Sequence, residues 1–284
     1  MIAVTGATGR LGRLVVERLL EREVPPERIV ALARDPERAS DLAERGVEVR
    51  RADYDRPETL GPALRGVEKL LLVSSSETGQ RLAQHGNVVE AAKRAGVGLL
   101  LYTSILYADA SGVSLAAEHL ATERLIQEAG VPYLVLRNGW YLENYTENLD
   151  QVIESGTIYG AAGTGRVAAA SRADYAEAAA VLLTEDHGSG RVFELCGDAS
   201  FDYDELAAAI GAIAGTDVVY QDMEPGAYRE ALVQSGLPLP VATMLTDADE
   251  GVARGDLDSD STELRDLIGR PTTTLDEALR ESIM

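Results

Sequence analysis

The stretch Met1-Ile2-Ala3-Val4-Thr5-Gly6-Ala7-Thr8-Gly9-Arg10-Leu11-Gly12 decides how the chain is read. A short β-branched run, Ile2 to Thr5, enters three glycines separated by two residues each. An amphipathic segment, Leu11 to Glu21, follows without a break. The order is strand, tight turn, helix. Turn glycines let the backbone approach a pyrophosphate, and the helix N-terminus supplies unpaired N–H groups and a positive dipole end. The spacing Gly6-x-x-Gly9-x-x-Gly12 differs from the G-x-G-x-x-G fingerprint by one residue in its first interval. The strand before it and the helix after it favour a dinucleotide site over a plain glycine turn.

Working outward, strand and helix signals alternate. Arg28 to Arg34 and Val47 to Arg51 read as the second and third strands, and Lys69 to Ser75 as the fourth. Leu99 to Ser104 and Tyr133 to Leu136 are the fifth and sixth. Between them lie helical stretches begun by Asp35-Pro36 and Pro57, then Gln80 to Ala95 and Leu115 to Ala129. Continuous apolar strands separated by amphipathic helices predict an α/β fold, a doubly wound parallel sheet of Rossmann type. Ligands of such sheets sit at the carboxyl ends of the strands. Those ends carry Gly6 to Gly12, Arg34, Ala52-Asp53, Ser74-Ser75-Ser76, Thr103-Ser104 and Arg137-Asn138-Gly139-Trp140-Tyr141.

After Tyr141 the rhythm changes. Asn144 to Glu154 reads as a helix, Gly156 to Gly160 and Gly163 to Gly165 as chain breaks, Ser171 to Thr184 as a helix, Val192 to Cys196 and Asp217 to Gln221 as strands, and the rest as mostly helical. This predicts a dinucleotide-binding domain over 1–140 and a smaller, mostly helical lobe over 141–284, interleaved with the first. Arg172 is placed at the start of a helix of that lobe, where it either reaches cofactor or substrate or pairs with Asp174.

Composition narrows the partners. The 26 Lys and Arg stand against 47 Asp and Glu, a formal net charge of −21. Such a balance repels nucleic acid phosphates and anionic membranes. There is no long apolar run to span a membrane. With strand-like sequence from Ile2, no signal peptide or transit peptide is expected. Cys196 is the only cysteine, so no intramolecular disulfide forms, which fits a reducing cytoplasm. His85, His119 and His187 lack metal-ligand spacing, and no metal site is expected. His85 and His187 read as surface residues. For His119, orientation of a nicotinamide or its ribose and plain packing weigh equally.

The cofactor type is read at the end of the second strand. An acidic residue there bonds the ribose 2′-hydroxyl of NAD, whereas an arginine accommodates the 2′-phosphate of NADP. Arg34 occupies the place, and Arg10 and Arg38 are near enough in sequence to add bidentate donors. Asp35 is accounted for as a helix cap. NADP(H) is therefore expected.

The chemistry is defined by an absence. Reductases on this scaffold commonly use Tyr-x-x-x-Lys on the helix after the fifth strand, the lysine lowering the tyrosine pKa for proton transfer. Ser114 to Glu123 contains neither residue; Leu115 stands at the tyrosine place and His119 at the lysine place. An unactivated ketone needs that relay. A quinone does not, because its anionic hydroquinone is stabilised by delocalisation and solvent can finish protonation. Trp140, Tyr141 and Tyr145 at the sixth strand end either stack a flat aromatic substrate or pack as core.

The turn Thr5 to Gly12 resembles that of atypical short-chain dehydrogenase/reductases of the NmrA-like group. Gly66 to Glu77, Leu136 to Tyr145, Ser171 to Tyr175 and Ile268 to Leu275 are similar to the bacterial type 2 NAD(P)H:quinone oxidoreductases, so the resemblance spans essentially the whole chain. It implies quinone reduction by NADPH without flavin or metal, in a monomer or homodimer. It also implies cofactor contacts at Gly6, Ala7, Thr8, Gly9, Arg10, Leu11, Gly12, Arg34, Ser74, Ser75, Ser76, Asn138, Gly139, Trp140, Tyr141 and Arg172. No proton donor is carried over. NmrA-like relatives also include NADP(H)-reading regulators without turnover, which is the alternative. A sugar epimerase or ketone reductase is disfavoured by Leu115.

Overall fold

The computed structural model describes residues 1–283. Six strands alternate with helices as expected: β1 (Ile2–Val4), β2 (Ile29–Ala33), β3 (Glu48–Arg51), β4 (Lys69–Leu72), β5 (Leu99–Ile105) and β6 (Tyr133–Asn138). The intervening helices are α1 (Arg10–Glu21), α2 (Ser40–Glu44), α3 (Pro57–Ala63), α4 (Arg81–Ala95) and α5 (Ser114–Ala129). The later part holds α6 (Glu143–Thr146), α7 (Leu149–Ser155), β7 (Thr157–Gly160), α8 (Arg172–Thr184) and β8 (Arg191–Leu195). It continues with α9 (Tyr203–Ala214), β9 (Val219–Asp222), α10 (Pro225–Gln234), α11 (Leu239–Arg254), α12 (Glu263–Ile268) and α13 (Leu275–Ile283).

The main sheet has the order β3-β2-β1-β4-β5-β6-β8. Neighbours from β3 to β6 pair in parallel, with Ile2 opposite both Ile29 and Lys69. The strand order reverses between β1 and β4, and their carboxyl ends are the switch point at which such sheets bind ligands. Apolar runs explain the layering. All five residues of β2 are buried, as are Leu70, Leu71 and Leu72, because both faces of the sheet are covered. Each such leucine stabilises the fold by about 1.5–3 kcal/mol relative to exposure. One core joins Ala3, Val30, Leu70, Leu100 and Val135 to Leu60, Val88 and Ala92 of α3 and α4.

Contacts divide the chain into two compact units. The first holds Met1–Ala108, Ala117–Asn138 and Arg172–Glu194; the second holds Asp109–Ala116, Gly139–Ser171 and the chain from Leu195 onward. The two units interleave along the chain, with Asp109–Ala116 and Arg172–Glu194 each on the other side of the division expected near residue 140. Arg172 does begin a helix, but α8 belongs with the first unit. It packs along α1, where Arg22 pairs with Glu177 and Glu185 at 3.1 and 2.6 Å.

In the second unit, Thr157–Gly160 is a strand paired in parallel with β9, not the chain break that its flanking glycines suggest. Just past the strand, the Asp249 carboxylate accepts from Ala161 N–H and the Tyr203 hydroxyl, each at 2.8 Å. A capping box between Asp202 and Glu205 starts α9. Trp140 and Tyr145 pack against this unit's core, and the Tyr145 ring meets Phe201 and Tyr203 edge-on. Among the described residues, no helix is long and apolar enough to cross a membrane.

The tightest approach in the first unit lies at its opening turn. A Cβ on Gly12 would stand 2.4 Å from the Gly6 carbonyl oxygen and 2.9 Å from that of Thr5. Gly12→Ala is therefore expected to lower unfolding stability by about 1–3 kcal/mol, the ordinary cost of overpacking. Urea denaturation checks this, and an unchanged midpoint would contradict the packing.

Candidate functional site

The glycine turn has the geometry of an anion cradle. Gly6 adopts φ +59°, a left-handed conformation available to glycine, and its carbonyl accepts from Gly9 N–H at 2.8 Å. Thr5 N–H and Ala7 N–H bond to Leu71 and Leu32, which pins the turn between the ends of β4 and β2. Gly9 is the N-cap of α1; no side chain caps the helix, and no acidic residue lies in its first turn. A helix start with no capping side chain and no acid beside its positive dipole end suits an anion. Ala7 and Leu11 are buried, so they can face a ligand only through backbone. Thr8 is half-buried, and Gly9 and Arg10 are exposed.

Arg34 follows β2 directly and is 69% exposed. Asp35 caps the short 3-10 turn after it by accepting from Glu37 N–H at 3.2 Å, which is the role its sequence position suggested. Arg34 Nη1 donates to Glu77 Oε1 at 2.9 Å, so the structure brings the end of β2 against the loop that follows β4.

That loop, Ser74 to Glu77, has no strand ladder, and side chains hold it instead. Val73 N–H donates to Thr5 Oγ1 at 2.9 Å, Ser74 N–H to Thr103 Oγ1 at 2.9 Å, and Ser75 N–H to His85 Nε2 at 3.0 Å. The Ser75 carbonyl accepts from Arg81 Nε at 2.6 Å, and Arg81 also pairs with Glu118 at 3.2 Å. His85 is fully buried, which corrects its reading as a surface residue; His187 is half-buried. Arg81, Gln84, His85 and Val88 all lie on the buried stripe of α4. Polar residues at i, i+3 and i+4 of a core-facing stripe were the signal for these loop anchors, which the strand-end rule did not reach.

The hydrogen bonds settle the charge of His85. Nε2 accepts the Ser75 N–H, so the ring proton is on Nδ1, 3.0 Å from Thr122 Oγ1. Burial, with Arg81 adding to it, pushes the His85 pKa down to about 4. On α5, His119 Nδ1 lies 2.8 Å from the Tyr102 hydroxyl, and burial followed by Arg81 and His85 lowers the His119 pKa to about 3. Burial raises the Tyr102 hydroxyl above its ordinary range. Both partners are neutral at pH 7. The pair can donate a hydrogen bond, but it is a poor source of a proton.

At the end of β5, the Ser104 hydroxyl donates to Glu123 Oε1 at 2.5 Å, so its proton is committed. Glu123 also receives a bidentate pair from the buried Arg137 at 2.9 and 2.8 Å. Glu194 takes Arg137 Nη1 at 2.8 Å and Tyr107 N–H at 2.9 Å. A buried arginine with two carboxylates and good geometry is a rigid brace. It fixes the end of β6, where Asn138 is 4% exposed and its side-chain oxygen has no hydrogen-bond partner among the described residues. A buried acceptor left open in this way costs stability and marks a place for a donor from a ligand. Arg172 is half-buried at the start of α8.

Gly139, Trp140 and Tyr141 begin the second segment of the second unit. Gly139 N–H donates to Leu195 O at 2.7 Å and the Trp140 carbonyl accepts from Ala170 N–H at 3.1 Å, so these backbone groups are used in the fold. Trp140 and Tyr141 are half-buried. Among the described residues, no group of three or more His, Cys, Asp or Glu side chains is placed to hold a metal ion.

The buried neutral histidines set an acid limit. The unfolded chain protonates a histidine near its ordinary value of 6.5, while folded His85 resists until about pH 4. Folding stability is therefore complete above 6.5 and falls as pH drops through that window, by at most about 1.4 kcal/mol per pH unit for this group. His119 acts with the same sign, down to about pH 3. His85→Gln, whose amide oxygen can still accept from Ser75 N–H, is expected to flatten the fall by up to that amount. Urea denaturation between pH 4 and 7 measures it, and an unaltered slope would contradict the buried neutral state.

The family model described as NAD(P)H-binding matches residues 6–186, from the glycine turn to the end of α8. Quinone oxidoreductase 2 of Escherichia coli is 49% identical over 279 residues, covering 98% of this chain and 97% of that protein. The crystal structure of an NADPH-dependent quinone oxidoreductase from Escherichia coli complexed with NADPH superposes with a TM-score of 0.97 at 48% identity, covering 100% of both chains. The triphenylmethane reductase of Citrobacter sp. complexed with NADP(H) gives 0.96 at 39% identity, over 99% of this chain and 100% of that one. This chain belongs to the NAD(P)H-binding, NmrA-like family of Rossmann-fold proteins.

Proposed function

We propose that this protein is an NADPH-dependent quinone oxidoreductase that acts without flavin or metal. The observation that carries the reading is the near full-length identity of 49% to the quinone oxidoreductase of Escherichia coli. The site chemistry supports it. NADPH, when bound, supplies the hydride. The Gly6–Gly12 turn and the uncapped start of α1 receive its pyrophosphate on backbone N–H groups. Arg34, aided by Arg10, takes the 2′-phosphate through charge-assisted hydrogen bonds. The Ser74–Ser76 loop lines the cofactor, held in shape by Thr103, His85 and Arg81. The open Asn138 Oδ1 suits a carboxamide donor of the nicotinamide half, and Arg172 is assigned to the same half.

The acceptor is a small-molecule quinone, for which the half-buried aromatic faces of Trp140 and Tyr141, following Gly139, are the assigned platform. Leu115 offers no acid, and neutral His119 holds its hydrogen bond with Tyr102. Solvent therefore completes protonation of the hydroquinone. The acidic surface disfavours nucleic acid and anionic membranes as partners. The single buried cysteine suits a reducing cytoplasm.

Two measurements test this. Purified protein with NADPH should oxidise it when menadione or benzoquinone is added and not with a simple ketone. Tight NADPH binding with no quinone-dependent oxidation would assign a redox-sensing role instead. Arg34→Ala should weaken NADPH binding by about 10- to 100-fold, the loss of one or two charge-assisted hydrogen bonds, and leave NADH binding nearly unchanged. Equal losses would overturn the 2′-phosphate assignment.

A further inference from the structure

Arg34 meets a prepared partner. Glu77 Oε1 accepts from Arg34 Nη1 at 2.9 Å, while Oε2 accepts from Gln84 Nε2 at 2.8 Å. Glu77 N–H donates to Ser75 Oγ at 3.1 Å. Gln84 is buried on α4, and the same Nε2 also donates to the Asp55 carboxylate at 3.1 Å. An ordinary surface ion pair contributes little, because two long side chains must be ordered to make it. Here the carboxylate is ordered beforehand by a buried amide and by its own loop. Arg34 thus carries a fixed anion on one edge of its guanidinium, at the end of β2 where a 2′-phosphate is expected.

We propose that Glu77 is a specificity-determining residue of the cofactor site, a built-in anionic partner of Arg34 that lowers affinity for the 2′-phosphate. The proposal rests on the assignment of Arg34 to that phosphate. A phosphate of about −2 charge brought to Arg34 either displaces Glu77 or shares the guanidinium with it, and in both cases the two anions repel. At about 6 Å in water-like surroundings the repulsion weakens binding about tenfold, reduced to about threefold by physiological salt. A cofactor lacking the 2′-phosphate meets no such penalty. Glu77 thereby narrows the preference for NADPH over NADH and eases the exchange of NADP+ for NADPH after each turnover.

The test uses the full chain and two probes that differ only in the 2′-phosphate, adenosine 2′,5′-bisphosphate and adenosine 5′-monophosphate, titrated calorimetrically. Glu77→Gln keeps the size of the side chain and an oxygen for Arg34 or Gln84. It should bind the bisphosphate about threefold more tightly at physiological salt, and about tenfold more tightly at low salt. The monophosphate should bind as it does to the unsubstituted protein. Bisphosphate binding that is unchanged or weaker, or an equal shift for both probes, overturns the proposal. Arg34→Ala separates the two claims. Undiminished bisphosphate binding to that variant would overturn the Arg34 assignment itself, whereas diminished binding with no gain in Glu77→Gln would overturn the role of Glu77 alone.

Discussion

The close approach of Gly12 to the carbonyl of Gly6 is the constraint on which the first unit depends, since α1 can begin at the end of β1 only if nothing projects from Gly12. The approach brings the helix N-terminus to the switch point of the sheet. It also leaves no space for a conventional cap: Gly9 stands at the cap position and no acidic residue occupies the first turn. Packing and binding are one arrangement here. The helix is placed by backbone contact, and the charge it lacks at its end is left for a ligand to supply.

The loop after β4 works by a different principle. Its backbone leaves the sheet before the neighbouring strand does, so its N–H groups must find partners among side chains. Thr5, Thr103 and His85 accept from three successive residues, and Arg81 donates to the carbonyl of the third. His85 must be a neutral acceptor for this to hold, and its burial keeps it so. The anchors lie on β1, β5 and α4, so the loop has the shape that three elements impose on it. Glu77, at the far end of the loop, inherits that rigidity.

The charge pattern is consistent with a phosphate-bearing cofactor in a protein that otherwise repels phosphate. Against a formal net charge of −21, Arg10 begins the uncapped helix and Arg34 follows β2, where it pairs with Glu77. The reaction side is correspondingly plain. The place of a catalytic tyrosine holds Leu115, and the two neutral groups nearby, Tyr102 and His119, satisfy each other. Such a site suits an acceptor that needs little help with its proton.

Much was legible in the chain itself. The parallel α/β architecture follows from six apolar runs and the helices between them, because period and length are local properties. The glycine turn was legible because it depends on spacing along one βαβ unit, and the same spacing put Arg34 at the end of the second strand, where the structure has it. The tertiary structure alone decided the rest. It drew α8 into the first unit through its packing on α1, and made a strand of Thr157–Gly160 by pairing it with β9, more than fifty residues later. It buried His85, which in sequence is one polar residue among several on a weakly amphipathic helix. It set Glu77 against Arg34 across a separation of 43 residues. Local pattern determines which elements form and what each can carry; which side chain meets which depends on long-range packing that no local spacing encodes.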